Sequence, residues 1–421
     1  MTTKKIAIAC QGGGTHAAFT GGVLAEILET KQKWDSDDSD VTQFEIITLS
    51  GTSAGALCAL ATWYGLVPNT ADPECGTLDK AVERLNFLWK TFAATTPIEK
   101  ALNVAVGVGL GMKEKGVPMP EGDPYGVATE MAMTGLSMLG ARDVYLGFPA
   151  LLEELCPSFD SIDWPEVAKA KTRMIAGAIE IKSGNFEAFD SHKTLEEMGL
   201  RPTRNDDEQY KSTRWRMRRA LSFEGVAASG TLPEVLPAQR IPDMQFPTCT
   251  PGKTTRRDAY YWDGLYSQNP PVRLLLDAEA KDEKPDEIWV VRINPQELYR
   301  DVTGRADIHD RINDLAGNVS LNAELDHINS LNKWIRKHGT DDPALAEFKP
   351  VEIRTIKMRP ESALGLHSST KLDRDRKHMG DLHDEGREVT REWLAGWQQH
   401  GEDFARYPEY PKNVELSCVN A

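Results

Sequence analysis

A serine flanked by small residues is the first candidate for chemistry in this sequence. Gly51-Thr-Ser-Ala-Gly55 fits the pattern G-x-S-x-G, in which small neighbours let a strand turn sharply into a helix and hold the serine hydroxyl at the strand tip. An apolar run at 44–49 precedes the turn, and small and apolar residues at 56–64 follow it. This context favours Ser53 as a nucleophile. The competing interpretation is a glycine turn that serves only close packing of helix and sheet.

A second glycine turn, Gly12-Gly-Gly14, follows the apolar residues 6–10. In a parallel sheet this turn lies at the same edge as the Ser53 turn, and adjacent glycines leave backbone N–H groups that can point at an oxyanion. A phosphate loop is the alternative. However, the lysine and hydroxyl of GxxxxGK[ST] are missing, and Ala17 departs from the dinucleotide pattern G-x-G-x-x-G.

A serine nucleophile needs a base, and Asp263 is the candidate. It follows a predicted strand at 260–262 and precedes Gly264. An aspartate at a strand end can reach a neighbouring strand tip, and partial desolvation there raises its pKa toward that of a usable base. The alternative is an aspartate that only forms a turn before glycine.

Composition limits the remaining possibilities. The 421 residues include 49 Lys and Arg against 64 Asp and Glu, a formal charge of −15, which disfavours nucleic acid or anionic lipid as a partner of the whole molecule. Six cysteines lack CxxC spacing or zinc-ligand spacing, so we expect no disulfide framework, metal or other cofactor, and a cytoplasmic location. The longest gently apolar stretch, 101–112, is too short to span a bilayer.

The elements that position these residues follow from the hydrophobic pattern. Two strand–turn–helix units, at 5–30 and 44–64, imply a parallel sheet covered by helices. A hairpin is predicted from strands at 173–181 and 186–189. Further strands are predicted at 287–293 and 351–358, and further helices at 78–92, 308–338 and 374–399.

In combination, these segments resemble the patatin-like family of lipid acyl hydrolases. The resemblance rests on QGGGTHAAFTGGVL after the first strand, GTSAG at the elbow, ASGTLP at 228–233 and WDGLYSQNP at 262–270, while the tail is similar to that of bacterial cytoplasmic members. It implies an α/β fold with three α/β/α layers and a central, mainly parallel sheet. Residues 1–300 would form the catalytic domain, with an insertion at about 68–155, and residues 301–421 a helical extension packed on it.

The resemblance further implies a Ser-Asp dyad of Ser53 and Asp263, and an oxyanion hole from the backbone of Gly12, Gly13 and Gly14. The expected reaction is hydrolysis of fatty-acyl esters of lipids through an acyl-enzyme, without a cofactor. The N–H group of Ala54 would join the oxyanion hole.

This chain departs from the family pattern in two places. It has His16-Ala17 where the family usually has a basic residue and glycine, and Asp263-Gly-Leu265 where Asp-Gly-Gly is common. His16 is therefore either a substitute contact for substrate or an anion, or a structural hydrogen-bonding residue.

Substrate capture has several candidates. The apolar residues 101–112 and the Met-rich residues 130–138 could form a cap for acyl chains, although core packing is slightly favoured for each. The basic residues 211–219 could meet lipid head groups, but charge runs are usually solvated helix faces. We expect a lipid or acyl-ester substrate and at most transient contact with a membrane surface.

Two other function classes stay open. One is a Ser-Asp-His esterase or thioesterase, if a tail histidine such as His367 or His383 approaches Ser53. The other is a non-catalytic lipid-binding protein that keeps this fold.

Overall fold

The computed structural model describes residues 3–36, 41–69, 72–114, 117, 127–162, 164–167, 172–192, 216–233, 236–247, 253–276, 281–297, 301–302, 304–339, 345, 348–364 and 366–401. The strands are β1 Lys4–Cys10, β2 Phe44–Gly51, β3 Arg173–Glu180, β4 Phe186–Asp190, β5 Arg216–Ala220, β6 Gln239–Pro247, β7 Thr254–Asp263, β8 Glu287–Arg292 and β9 Glu352–Lys357. The α-helices are α1 Ala18–Asp35, α2 Ala54–Leu66, α3 Leu78–Phe92, α4 Pro97–Glu114, α5 Val127–Met138, α6 Asp143–Leu146, α7 Phe148–Leu155, α8 Trp164–Val167, α9 Phe223–Ser229, α10 Arg305–His338, α11 Pro360–Leu364 and α12 Arg376–His400.

All these strands join one sheet, in the order β5-β4-β3-β2-β1-β8-β9, with β7 pairing to β3 and β6 to β7. The five strands from β3 to β9 in this order are parallel to one another. The antiparallel pairs are β3 with β4, β3 with β7 and β6 with β7.

Alternation along β1 shows how the sheet is covered on both faces. Ile6 and Ile8 belong to one buried cluster, which also contains residues of α1, α2, α3 and α12. Ala7 and Ala9 belong to a second cluster with residues of α10. Because successive side chains of a strand point to opposite faces, these two clusters lie on the two sides of the sheet. The prediction of an α/β fold with a central, mainly parallel sheet flanked by helices is confirmed.

Strands β2 and β7 pair with the same side of β3, one after the other along its length. β2 pairs with the first half of β3 and finishes with Gly51 opposite Ala176. Beyond that point β7 pairs antiparallel with β3 and places Asp263 opposite Ala178. Strand β4 pairs with β3 on its other side, again at Ala178. The final residues of β2 and β7 therefore meet head to head.

The segment at 68–155, expected as an insertion, is mostly helical in its described part. The predicted helix at 78–92 is confirmed, and helices α4 to α7 follow it. Helix α4 forms although glycine, which weakens a helix, occurs at positions 107, 109 and 111. Residues 118–126 lie outside the described part of the chain.

The C-terminal segments join the same body. β9 extends the sheet at β8, and α12 packs on α1 backbone to backbone. A Cβ on Gly22 of α1 would lie 1.9 Å from the carbonyl oxygen of His383, and one on Gly386 of α12 would lie 2.2 Å from that of Phe19. Glycines at these two positions permit the close approach.

The basic run at 211–219 differs from its interpretation as a solvated helix face. Its described part belongs to strand β5. Arg219 is buried and donates to the Glu187 carboxylate at 2.9 and 3.1 Å, so its charge is directed into the protein rather than to a lipid head group. Residues 211–215 lie outside the described part of the chain.

Candidate active site

Ser53 occupies the tight turn between β2 and α2. Its φ of 56° and ψ of −134° lie in a region that side-chain-bearing residues rarely adopt, and such a conformation costs about 1–3 kcal/mol. The glycines around it are required by space: a Cβ on Gly51 would lie 2.4 Å from the Gly55 carbonyl oxygen, and one on Gly55 2.4 Å from that of Cys10. The strained turn holds the serine at the end of β2 and directly before α2.

A second serine fixes the backbone of this turn. The Ser53 N–H donates to Oγ of Ser229 at 3.0 Å, and that hydroxyl donates to the carbonyl oxygen of Gly177 at 2.7 Å. Ser229 ends helix α9 and is fully buried. The elbow is thus tied through one hydroxyl to the middle of β3.

Asp263 is fully buried at the end of β7. Its backbone N–H donates to the carbonyl oxygen of Thr231 at 2.8 Å, and its Oδ1 accepts the N–H of Leu265 at 2.8 Å. Its Oδ2 has no partner at ordinary hydrogen-bond length among the described residues. These contacts fix the carboxyl while leaving one of its oxygens available.

The pKa of Asp263 reflects this setting. Burial is the dominant influence and raises the pKa from 3.8 to about 7. The Ser53 hydroxyl and the Leu265 N–H oppose the shift by hydrogen bonding to the ionised form. The Ser53 hydroxyl is thus near enough to the carboxyl to lower its pKa, although Oδ2 has no partner at ordinary hydrogen-bond length among the described residues.

The glycine turn after β1 touches the elbow directly. A Cβ on Gly12 would lie 2.7 Å from Cβ of Ser53. The Gly12 N–H is already engaged, because it donates to Oδ1 of Asn269 at 2.6 Å. The N–H groups of Gly13 and Gly14 have no acceptor among the described residues, and that of Ala54 belongs to the first turn of α2, whose N–H groups have no acceptor within the helix. Three of the four predicted donors are thus available.

His16 faces the C-terminal part of the chain. It is buried, and its Nε2 lies 2.8 Å from Oγ1 of Thr370. Its ring makes an edge contact with that of His378, at 6.1 Å between centroids. Burial, followed by the charge of Lys371, lowers its pKa well below 6.5, so the imidazole is neutral at pH 7. This geometry favours the structural interpretation of His16 over an anion contact.

The tail histidines considered for a triad have other surroundings. His367 is exposed, and its backbone N–H donates to Thr370. His383 lies on α12, where burial and then the charge of Arg387 lower its pKa. Among the described residues, only Ser53 and Leu265 besides burial move the pKa of Asp263. A histidine partner for the serine and aspartate is therefore not favoured.

The sequence alone did not single out three residues of the site. Ser229 supports the elbow, Asn269 holds the glycine turn, and Asn294 lies against that turn at the end of β8. The only sequence signal for the first two was their position within the segments ASGTLP and WDGLYSQNP. Asn294 stood in a segment noted only as the end of a strand.

The apolar segments proposed as a cap are exposed rather than packed in the core. Val104 of α4 is 65% exposed, and Met131 of α5 is 70% exposed. No charged residue occurs at 101–112. The slight preference for core packing was therefore wrong for the exposed side chains of these helices. Among the described residues, no helix combines the length and hydropathy needed to cross a bilayer.

Comparison with known proteins gives one family. The model of the patatin-like phospholipases matches residues 8–276, which include the glycine turn, the elbow and Asp263. No curated protein sequence matches. The crystal structure of VipD from Legionella pneumophila aligns with 91% of this chain and 67% of its own, at 11% identity and a TM-score of 0.31, a likeness too distant to support an argument. The family match covers well over half of the chain, which therefore belongs to the patatin-like phospholipases, a family of lipid acyl hydrolases.

Proposed function

We propose that this protein is a serine acyl hydrolase that cleaves fatty-acyl esters of lipids with a dyad of Ser53 and Asp263. The observation that carries the proposal is the head-to-head meeting of β2 and β7 along β3. It brings a strained serine against a buried carboxyl with a pKa of about 7. A carboxyl with that pKa can accept a proton from an attacking hydroxyl near neutral pH.

The geometry supports a two-step mechanism. Ser53 Oγ attacks the ester carbonyl carbon while Asp263 accepts the hydroxyl proton, and the carbonyl electrons move onto oxygen. When the tetrahedral intermediate collapses, the alcohol leaves with the proton from Asp263 and an acyl-enzyme remains. Water then attacks that ester, again with Asp263 as base, and the fatty acid departs with Ser53 restored.

Backbone donors stabilise the negative charge on the carbonyl oxygen. The N–H groups of Gly13, Gly14 and Ala54, which have no acceptor among the described residues, can take this role. The helix that begins at Ala54 adds a positive dipole end. Preorganised donors of this kind are worth about 10²- to 10³-fold in rate each. Gly12 contributes through its bond to Asn269, which sets the position of the turn.

The exposed surface of the protein, in addition to its family, supports a lipid substrate. Helices α4 and α5 expose uncharged apolar side chains, which suit acyl chains or the interior of a lipid aggregate. The net charge of −15 disfavours strongly anionic aggregates. The proposed substrate class is a phospholipid or other lipid ester presented in a neutral or zwitterionic aggregate.

Labelling with a fluorophosphonate probe tests the nucleophile. We expect the probe to label wild type and Ser183→Ala, a control in the exposed β3–β4 turn, but not Ser53→Ala. Fatty acid release from mixed lipids should be lost in both Ser53→Ala and Asp263→Asn. Equal labelling of wild type and Ser53→Ala would refute the proposal in favour of a non-catalytic lipid-binding protein. Near-complete loss of activity in His367→Ala or His383→Ala would replace the dyad with a triad.

A further inference from the structure

A buried carboxamide beside the glycine turn has no structural partner. Asn294 is 3% exposed, and neither its Oδ1 nor its Nδ2 forms a hydrogen bond with any described residue. Its backbone is fully used, because the N–H donates to Oε1 of Gln11 at 3.0 Å and the carbonyl oxygen accepts from Asn318 at 3.5 Å. The chain thus fixes this residue firmly while leaving its side chain unsatisfied.

An unsatisfied buried amide is costly. Removing such a group from water without a replacement hydrogen bond destabilises the folded state, and an apolar side chain of similar size would avoid that penalty. The side chains of three other buried asparagines, Asn269, Asn318 and Asn332, do form hydrogen bonds. Both side-chain atoms of Asn332, on α10, bond to the backbone of Val351, at 2.7 and 2.9 Å. The unsatisfied side chain of Asn294 is therefore available to bind a ligand.

The position of the amide indicates which ligand. A Cβ on Gly13 would lie 3.6 Å from Oδ1 of Asn294, so the carboxamide borders the glycine turn. On its other side lies Gly317 of α10, where a Cβ would lie 2.9 Å from Nδ2 of Asn294 and 3.1 Å from Leu265. The Leu265 N–H in turn holds the carboxyl of Asp263. The amide thus lies between the glycine turn and the turn that follows Asp263.

We propose that the Asn294 carboxamide donates a hydrogen bond from Nδ2 to the carbonyl oxygen of the bound ester, as a side-chain member of the oxyanion hole beside the N–H of Gly13. This role rests on the proposed serine hydrolase activity and extends it to a catalytic residue outside the family's sequence motifs. An exchange of Nδ2 and Oδ1 by rotation of the amide does not affect it, because both atoms lack partners.

Steady-state kinetics on a soluble short-chain p-nitrophenyl ester, together with thermal unfolding, test the role. Asn294→Leu keeps the approximate size but removes the donor. We expect kcat to fall about 10²-fold with KM changed by less than about threefold, while Tm stays equal or rises because an unsatisfied polar group has been removed. Asn294→Asp keeps the shape almost unchanged, lacks the donor and carries a charge that opposes the oxyanion. It should lose at least as much kcat, and it decides the question if the leucine variant does not fold.

Asn332→Leu is the matched control. It removes a satisfied buried asparagine far along α10, so Tm should fall while kcat per folded molecule stays at the wild-type value. Wild-type kcat in Asn294→Leu, an increase in KM alone, or a loss of kcat that only follows a loss of folded protein would each overturn the proposal. Wild type and Ser53→Ala are assayed alongside. If wild type shows no turnover, or Ser53→Ala shows the same turnover, the serine hydrolase itself fails. An inactive Ser53→Ala beside a fully active Asn294→Leu refutes only the role of Asn294.

Discussion

The Oγ atom of Ser229 accepts a hydrogen bond from the backbone N–H of Ser53 at 3.0 Å and donates one to the carbonyl oxygen of Gly177 at 2.7 Å. One hydroxyl therefore connects helix α9, the nucleophile turn and strand β3. All three partners are buried, so water cannot replace the contact without a structural change. The nucleophile owes its position to this bond as well as to its own glycine neighbours.

Ser229→Ala should lower both stability and turnover. The Ser53 N–H and the Gly177 carbonyl oxygen would lose their partner, which costs about 1–3 kcal/mol, and the turn would gain freedom at the reacting atom. We expect a lower Tm and a larger reduction in kcat than in KM, since orientation of the nucleophile matters most in the transition state. Ser183→Ala, in the exposed hairpin turn, should leave kcat unchanged and lower Tm less than Ser229→Ala does, because its hydrogen bond from the Asn185 N–H is exposed to water. Wild-type kcat in Ser229→Ala would show that the bond supports folding alone.

Ser53→Gly should be more stable than Ser53→Ala although both are inactive. Glycine adopts a φ of 56° without strain, whereas alanine does not. After allowing for the greater freedom of glycine in the unfolded chain, the difference is about 1 kcal/mol, or about 1 °C in Tm for a chain of this length. Differential scanning calorimetry of the two variants measures it. The same pair at Ser183, which has no positive φ, should show glycine no better than alanine.

The pH profile of kcat/KM should report Asp263. The carboxyl must be ionised to act as a base, and burial raises its pKa to about 7. On an uncharged ester, kcat/KM should therefore fall about tenfold per pH unit below pH 7 and level off above it. A limb centred near pH 4 instead would mean that the carboxyl behaves as a solvated one and that the proposed base is wrong.

Asp263 should also make stability depend on pH, with a sign opposite to that of most carboxylates. The folded protein retains a proton that the unfolded chain releases near pH 3.8, because the folded pKa is about 7. Stability therefore falls as pH rises from about 4 to about 7 and is constant beyond, by at most about 4 kcal/mol. The Tm advantage of Asp263→Asn over wild type should grow across that interval. A constant difference would contradict the shift.

His16 should make folding stability depend on pH with the sign opposite to that of Asp263. Its folded pKa lies well below 6.5 because of burial, so the unfolded chain binds a proton that the folded protein excludes. Its contribution is constant above pH 6.5, and stability is lost as the pH falls below that value toward the folded pKa. His16→Gln should reduce this loss in acid, seen as a flatter dependence of Tm on pH between about 6.5 and 5. His338→Gln, at an exposed histidine of α10, should not.

The local parts of the site were predictable and the tertiary parts were not. The Ser53 turn follows from its own glycines and from the apolar runs beside it, since strand, turn and helix are all local. Ser229, Asn269 and Asn294 act through contacts made only after distant segments meet. A serine or asparagine has no periodic signature that distinguishes such a role from that of a surface residue.

The strands show the same difference between features that the local sequence predicts and features that only tertiary pairing determines. Strands β1, β2 and β8 are apolar and buried, so the hydrophobic pattern predicted their bounds to within a few residues. Strand β7 begins with the exposed polar residues Thr254-Thr-Arg256, and only its end has the apolar residues that predict a strand. Its partner β6 contains Pro242, which argues against a strand. Both form because each pairs with the other in an antiparallel ribbon at the sheet's margin.

Charge on α4 should separate activity on lipid aggregates from activity on soluble esters. Val104 and Val108 are 65% and 52% exposed, so Val104→Asp with Val108→Asp removes little packing and Tm should stay within about 1 °C of wild type. Inserting two carboxylates into an apolar lipid surface is unfavourable by several kcal/mol, so hydrolysis of phosphatidylcholine vesicles should fall at least about tenfold. Turnover of a soluble short-chain ester should stay within about twofold, because the dyad is untouched. Trp334→Asp, exposed on the C-terminal turns of α10, is the control that should affect neither assay. Equal losses on both substrates would place the role of α4 in the structure of the site rather than in contact with lipid.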